Sequence, residues 1–484
     1  MSQPQSNELG TVPFPDTGAI EALRAADYSR LDAQGHVYLD YTGGGLYADS
    51  QLRAHQAVLA ASILGNPHSG SLSSLATTTL VERARQYVQR FFNAPDYTVV
   101  FTLNATGALK HVGECYPFAP GGRYLLAFDN HNSVNGIREF ASAKGATFDY
   151  APLTVPDLRL DVPRLRDLLR HADPRHHNLF AFPAQSNFSG VKHPLTLVDE
   201  AHAAGWDVLL DAAAFVPTNR LDLAAVKPAF VTVSFYKMFG YPTGVGCLLV
   251  RNDALATLHR PWFAGGTVNF ATVQGRTHIL SPGEAGFEDG TLNYLNIPAV
   301  EIGLRHIESI GIDAIQARVQ ALAGWLLTRL LELRHANGRH MVRIYGPATM
   351  DARGGTLTMN FYDPEGHLID YRRVEELANA ERISLRTGCF CNPGAGEAAE
   401  GLTADDMRMA GEQGDMTLQR FVQFMQQRGG KSAGAIRASL GLVTNQADVA
   451  RFYRFAAQFR DQSRLALGEV TFDIESCRVI RDGA

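Results

Sequence analysis

The sequence is short of cysteine, of charge of one sign and of long apolar runs. Its five cysteines, Cys115, Cys247, Cys389, Cys391 and Cys477, are scattered over 484 residues. An odd, irregularly spaced set is not a disulfide framework and fits a reducing compartment, so a cytoplasmic protein is expected. A formal net charge of -5 and a pI near 6.3 give no cationic surface for nucleic acid or anionic lipid. No run of about 18 apolar residues offers a membrane span. The polar N-terminus, MSQPQSNELGTVPFPDTG, lacks the basic and then apolar segments of a secretory leader. Internal repeats and low-complexity tracts are missing as well.

What is present is the composition of a soluble globular chain, 45% hydrophobic and 19% charged, too long for one ordinary core. Short apolar runs alternate with helical patterns between residues 97 and 250. The runs are YTVVFTL (97–103), YLLAF (124–128), NLFAF (178–182), WDVLL (206–210), FVTVSF (230–235) and GCLLV (246–250). Segments such as ATGALKHVGECY and PLTLVDEAHAAG between them carry helical periodicity and glycine stops. The alternation predicts βαβ units and a mainly parallel α/β sheet with helices on both faces. A long helical pattern, AVEIGLRHIESIGIDAIQARVQALAGWLLTRLLELRHA, leads out of this region. The strand patterns MVRIYG and GTLTMNFY follow, predicting a smaller C-terminal α+β domain. The expected division is an N-terminal arm over 1–37, a large domain over 38–305 and a small domain over 306–484. Residues 393–433 read as a polar, partly helical insertion, a lid or a surface elaboration.

In parallel sheets the site forms just beyond the strand carboxyl ends. Those positions hold Asn104-Ala105-Thr106, Asp129-Asn130-His131, Ala184-Gln185-Ser186-Asn187, Asp211 and Ser234 to Lys237. Any one of them is unremarkable, because loops are wet; five together point to one shared site. A lysine leaving a buried strand, as in VSFYKMFGYPTG, is a Schiff-base candidate, because desolvation lowers its pKa. Asp211 ends the preceding strand. A pyridoxal phosphate enzyme needs such a lysine, a carboxylate on its pyridinium nitrogen and a phosphate cradle. LNATGALKHV (103–112) offers the cradle as a strand–turn–helix, and His131 offers a ring that stacks.

These residues resemble the class V aminotransferase and cysteine desulfurase superfamily, whose members are fold-type I pyridoxal phosphate enzymes. The likeness is nearest to the molybdenum cofactor sulfurase branch. It runs from YLDYTGGGLY (38–47) through NATGALK, DNHNSVNGIRE, FAFPAQSNFSGVK, DAAAFVPT, SFYKMFGYPTGVGCLLV and LRTGCFCNPGA to GAIRASLG (434–441). The resemblance implies Lys237 as the Schiff-base lysine, Asp211 as the pyridinium partner and His131 as the stacking ring. It places Asn187 near the phenolic oxygen, Ala105, Thr106 and Ser234 at the phosphate, and Gln185 on the pocket wall. Thr267 matches a position that reaches a neighbouring subunit's phosphate, implying a homodimer. Arg437 matches the arginine that holds the substrate carboxylate. Tyr236 stands where desulfurases place a second histidine, a departure shared with the sulfurase branch.

RTGCFCNPGAG (386–396) taken alone leaves a metal site, a redox pair or a nucleophile open. No zinc site is expected, because no further Cys or nearby His completes four ligands. Under the resemblance Cys391, not Cys389, is the nucleophile that takes sulfur from L-cysteine. A free thiol is only a few per cent ionised at neutral pH, so help from Arg386 or backbone N–H groups is expected. The chain ends soon after Arg437. Sulfur is therefore expected to pass to a separate acceptor protein or to the molybdenum cofactor. The competing expectation is a class V lyase, epimerase or transaminase that transfers no sulfur. RGGKS (428–432) lacks the leading glycine of a phosphate-binding loop and is set aside.

Overall fold

All six apolar runs are strands, and a seventh joins them at the edge of the sheet. The computed structural model describes residues 18–412, 420–421, 424–425, 432 and 434–468. The central sheet contains β1 (Tyr97–Thr102), β2 (Arg123–Ala127), β3 (Thr147–Ala151), β4 (Asn178–Pro183), β5 (Asp207–Asp211), β6 (Phe230–Ser234) and β7 (Gly246–Arg251). They lie in the order β1-β7-β6-β5-β4-β2-β3. Neighbours from β3 to β6 are parallel, and β7 runs antiparallel between β6 and β1. Every residue of β4 and β6 is buried, as strands covered on both faces must be. β3 escaped the sequence pattern because it is an edge strand whose first three residues face solvent. This mainly parallel sheet with many helices is the fold-type I architecture that the sequence predicts.

The long helical pattern is two helices, Pro298–Ile310 and Ile312–Glu332. Gly311 separates them at φ 90, a conformation cheap for glycine and costly for other residues. The second helix buries Ile315, Val319, Leu322, Leu326 and Leu330 along one stripe, the spacing of a helix face set against a core.

A second sheet is antiparallel throughout. It contains β8 (Val342–Tyr345), β9 (Thr356–Phe361), β10 (Arg386–Gly388) and β11 (Ala435–Ser439), in the order β8-β9-β11-β10. The early segment Val37–Tyr38 pairs in parallel with Ile383–Ser384, and Asp40 bridges to Ser439. From there the loop crosses to the central sheet, where the Gly45 N–H donates to the Tyr236 carbonyl at 3.0 Å. A side chain at Gly45 would meet the Lys237 carbonyl at 2.9 Å, so this close approach requires glycine. Within the polar insertion, Pro393–Glu400 and Ala404–Gly411 are helices. Its residues 413–419, 422–423, 426–431 and 433, which include RGGKS apart from Ser432, lie outside the described residues.

Candidate active site

A cavity of about 150 Å³ opens at the carboxyl ends of β4, β5 and β6. Its lining includes ten predicted or flanking residues: Asn104, Ala105, Thr106, His131, Gln185, Asn187, Asp211, Ser234, Tyr236 and Lys237. Lys237 lies on the one-turn helix Phe235–Phe239, which starts where β6 stops. It keeps some accessible surface because it faces this cavity. The protein packed around it nevertheless pulls the amine pKa below the ordinary 10.5, since burial penalises the charged form. Asp211 and Asp40 oppose that shift, and Arg437 adds to it.

Asp211 ends β5, and its Oδ1 accepts from the Ala213 N–H at 3.0 Å and the Thr232 hydroxyl at 3.3 Å. His131 caps a short helix, its Nδ1 accepting from the Ser133 N–H at 3.1 Å. That bond puts the neutral ring's proton on Nε2. Burial holds the His131 pKa below its ordinary value, with Asp211 opposing and Lys237 and Arg437 assisting. The neutral ring is the form that stacks on another aromatic system without importing charge.

The helix Ala105–Cys115 aims its N-terminus at the same cavity. Asn104 caps it by accepting from the Gly107 N–H, and the Ala105 N–H donates to Ser234 Oγ at 3.0 Å. Thr106 and Ser133 join hydroxyls at 2.8 Å. Unpaired N–H groups and the helix dipole make this end suited to an anion. Ser133 was not singled out in the sequence, although it follows His131 by two residues and lines the cavity.

Arg437, on β11, is buried and lies over the Phe390 ring, with 4.7 Å from its Cζ to the ring centroid. Its Nη1 donates to the Asn187 carbonyl at 2.9 Å and its Nη2 to Asp40 Oδ1 at 3.1 Å. Its Nε has no partner among the described residues. Arg386 turns its Nε and Nη2 onto Asp40 Oδ2, at 3.0 and 2.6 Å. Asp40 therefore joins both arginines, a role not apparent in YLDYTGGG because the partners lie about 350 and 400 residues away.

The cysteine turn is held from the large-sheet side. Phe390 and Cys391 sit at φ 55 and 54, left-handed values that cost non-glycine residues free energy. The Asn187 amide donates to the Phe390 carbonyl at 2.7 Å, and the Asn132 N–H donates to the Cys391 carbonyl at 2.7 Å. Asn392 donates to Asn187 Oδ1 and to the Asp129 carbonyl, and it caps the helix Pro393–Glu400. The Cys391 side is exposed and Cys389 is half-buried. Asn187 thus lines the cavity and also grips the turn, and Asn392 is a further residue the sequence reading left out. Thr267 does not line this cavity. It is buried, with its hydroxyl bonded to the Ala264 backbone. Among the described residues, Asp363, Glu365 and His367 alone cluster like metal ligands, away from these elements and without Cys389 or Cys391.

The fold and this constellation define a class. The sequence profile described as "Aminotransferase class-V" matches residues 37–452, and the chain belongs to that family. Curated relatives named molybdenum cofactor sulfurase share 37% identity in Oryza sativa subsp. japonica and 35% in Homo sapiens, over 90% and 92% of this chain. The chain spans about half the length of these relatives, 57% and 52%. Among solved structures, a cysteine desulfurase from Thermococcus onnurineus superposes with a TM-score of 0.74 at 22% identity, covering 93% of this chain and 98% of its own. One from Escherichia coli gives 0.70 at 21%, covering 91% and 98%. The chain shares their fold.

Proposed function

We propose that this chain is a pyridoxal phosphate-dependent cysteine desulfurase of the molybdenum cofactor sulfurase type. It converts L-cysteine to L-alanine and retains the released sulfur as a persulfide on Cys391. The observation that carries this reading is convergence: Lys237, Asp211 and His131 line one cavity, and Asn187 on its wall bonds both Arg437 and the turn that holds Cys391. An amine of lowered pKa and a carboxylate in the cavity, with a guanidinium and a thiol-bearing turn joined to its wall through Asn187, are the parts the reaction requires.

The residues present fit the cofactor. Lys237 would bond its aldehyde carbon, Asp211 would face the pyridinium nitrogen and His131 would cover the ring. Ala105, Thr106 and Ser234, with Ser133, would hold the phosphate, and Asn187 and Gln185 would line the sides. When bound, the ring supplies a sink for the electron pair left as the substrate α-proton departs. The unpartnered Arg437 Nε–H is a buried donor available to the carboxylate of an incoming amino acid. Lys237 takes the α-proton. The Cys391 thiolate attacks the substrate Sγ, the Cβ–Sγ bond breaks and the S–S bond forms. Cβ gains the proton that the Cys391 thiol gave up and Lys237 returns a proton to Cα, which leaves alanine and Cys391-S-SH. No external oxidant or reductant is consumed. The sulfur then passes to an acceptor protein or to the molybdenum cofactor.

Incubation with L-cysteine and a reducing thiol tests the reading. Alanine and sulfide are expected in equal amounts, with mass spectrometry finding one added sulfur on Cys391. Alanine without sulfide, or sulfur carried on another thiol, refutes it. Cofactor uptake by the apoprotein gives a second test, because the neutral Lys237 amine is the reacting form. Its pKa lies below 10.5, so the uptake rate is expected to rise with pH with its midpoint below that value. A stopped-flow midpoint at or above pH 10.5 would contradict the lowered pKa.

The reading includes a second copy of the chain. Thr267 precedes a hairpin, Val268–Ala271 with His278–Leu280, that exposes Phe270 and Ile279, and Trp262 and Phe263 are exposed beside it. Sedimentation equilibrium is expected to give twice the 52.8 kDa chain mass. A large domain over 38–305 and a small one over 306–484 remain part of the proposal. So does a reducing, cytoplasmic setting, supported by the four free thiols among the described residues. No helix among these residues is long and apolar enough to cross a membrane.

A further inference from the structure

Arg386 and Arg437, the latter bonded to the Asn187 carbonyl on the cavity wall, carry two positive charges and share one carboxylate. Asp40 is buried, with Oδ2 on Arg386 at 2.6 Å and Oδ1 on Arg437 at 3.1 Å. No other carboxylate among the described residues pairs with either guanidinium. The arrangement is built into the backbone, since the Gly43 and Gly44 N–H groups both turn back to the Asp40 carbonyl. A side chain on Gly43 would lie 2.6 Å from both Asp40 carboxylate oxygens and 2.7 Å from Arg386 Nη2. The loop therefore leaves room for the ion pair only because residue 43 is glycine. Arg437 keeps its Nε–H unpartnered and buried. With one charge neutralised, that donor carries the attraction of a single net positive charge.

We propose that Asp40 is the specificity-determining residue of the site. By holding one negative charge between Arg386 and Arg437 it leaves capacity for one substrate carboxylate. An amino acid with an uncharged side chain is accepted, and one with an anionic side chain is rejected. The inference rests on the reading that Arg437 receives an amino-acid carboxylate. The physical reason is that a second anion beside Asp40 adds like-charge repulsion in a site poor in water. Removing the Asp40 charge exposes two guanidinium forks, which suit a dicarboxylate. Lys237, which lies near Arg437, and Glu375, which lies near Arg386 without pairing with it, are unchanged by that exchange.

The test uses the pyridoxal phosphate-loaded protein titrated with L-alanine and L-aspartate, followed by the visible absorbance of the cofactor. Neither amino acid carries a transferable sulfur, so the readout is binding and not turnover. The unsubstituted protein is expected to prefer L-alanine. Asp40→Asn is expected to shift the alanine-to-aspartate affinity ratio toward aspartate by at least about tenfold, the scale of one charged hydrogen bond. Asp40→Glu, which keeps the charge, is expected to retain the original preference. Arg386→Gln, at a half-exposed side chain, leaves no net charge and is expected to weaken L-alanine binding by about tenfold. The double substitution Asp40→Asn with Arg386→Gln restores one net charge. It is expected to return the ratio to within about threefold of the original. An unchanged ratio in Asp40→Asn, or L-alanine affinity untouched by Arg386→Gln, overturns the inference while leaving the function standing. Absence of any absorbance response to L-alanine in the unsubstituted protein overturns the functional reading itself. If Asp40→Asn does not fold, Arg386→Gln decides alone.

Discussion

Lys237→Ala is expected to lower alanine formation from L-cysteine by at least about 10³-fold, the range in which positioned proton transfer operates. The argument starts from placement. Lys237 leaves the fully buried strand β6 and faces a cavity, so its amine is less readily protonated than a surface lysine. No other lysine among the described residues lines that cavity, so no second amine stands ready to replace it. The variant is also expected to lose the absorbance of lysine-bound cofactor, while pyridoxal phosphate still binds through the helix N-terminus and Asp211. Retention of more than a tenth of the turnover would remove Lys237 from the reaction.

Cys391→Ala is expected to abolish sulfide release and to leave the cofactor spectrum as it is. The effect is of the same order, about 10³-fold or more, because removing a nucleophile leaves only the residual reaction of the bound substrate. The spectrum separates this variant from Lys237→Ala, since the thiol side is exposed and does not line the cofactor cavity. Full turnover in Cys391→Ala, with sulfur appearing on Cys389, would exchange the roles of the two thiols.

The large sheet was legible because parallel strands are apolar on both faces, and runs such as NLFAF and FVTVSF stand out from helical periodicity. Edge strand β3 was not, because TFDYA turns its first three residues to solvent. The break at Gly311 hides within an unbroken apolar pattern, since one residue at positive φ changes direction without changing composition. In the site, Lys237, Asp211, His131 and Ser234 were readable from their positions at strand ends. Asp40 and Asn392 were not, because each takes its role from partners hundreds of residues away. Polar pairings over such separations leave no periodicity for a sequence to display.

The loop from Asp40 to Gly45 behaves as a tie rod between the two sheets. One end is pinned to Ser439 beside Arg437, and the other rests on the carbonyl of the residue before Lys237. Any tilt of the antiparallel sheet against the parallel one pulls on this strut before it reaches the cavity. The span between the Lys237 amine and the Arg437 guanidinium is thus fixed by six residues of backbone. Lengthening that strut would detune the two groups together, with every side chain in the pocket still in place.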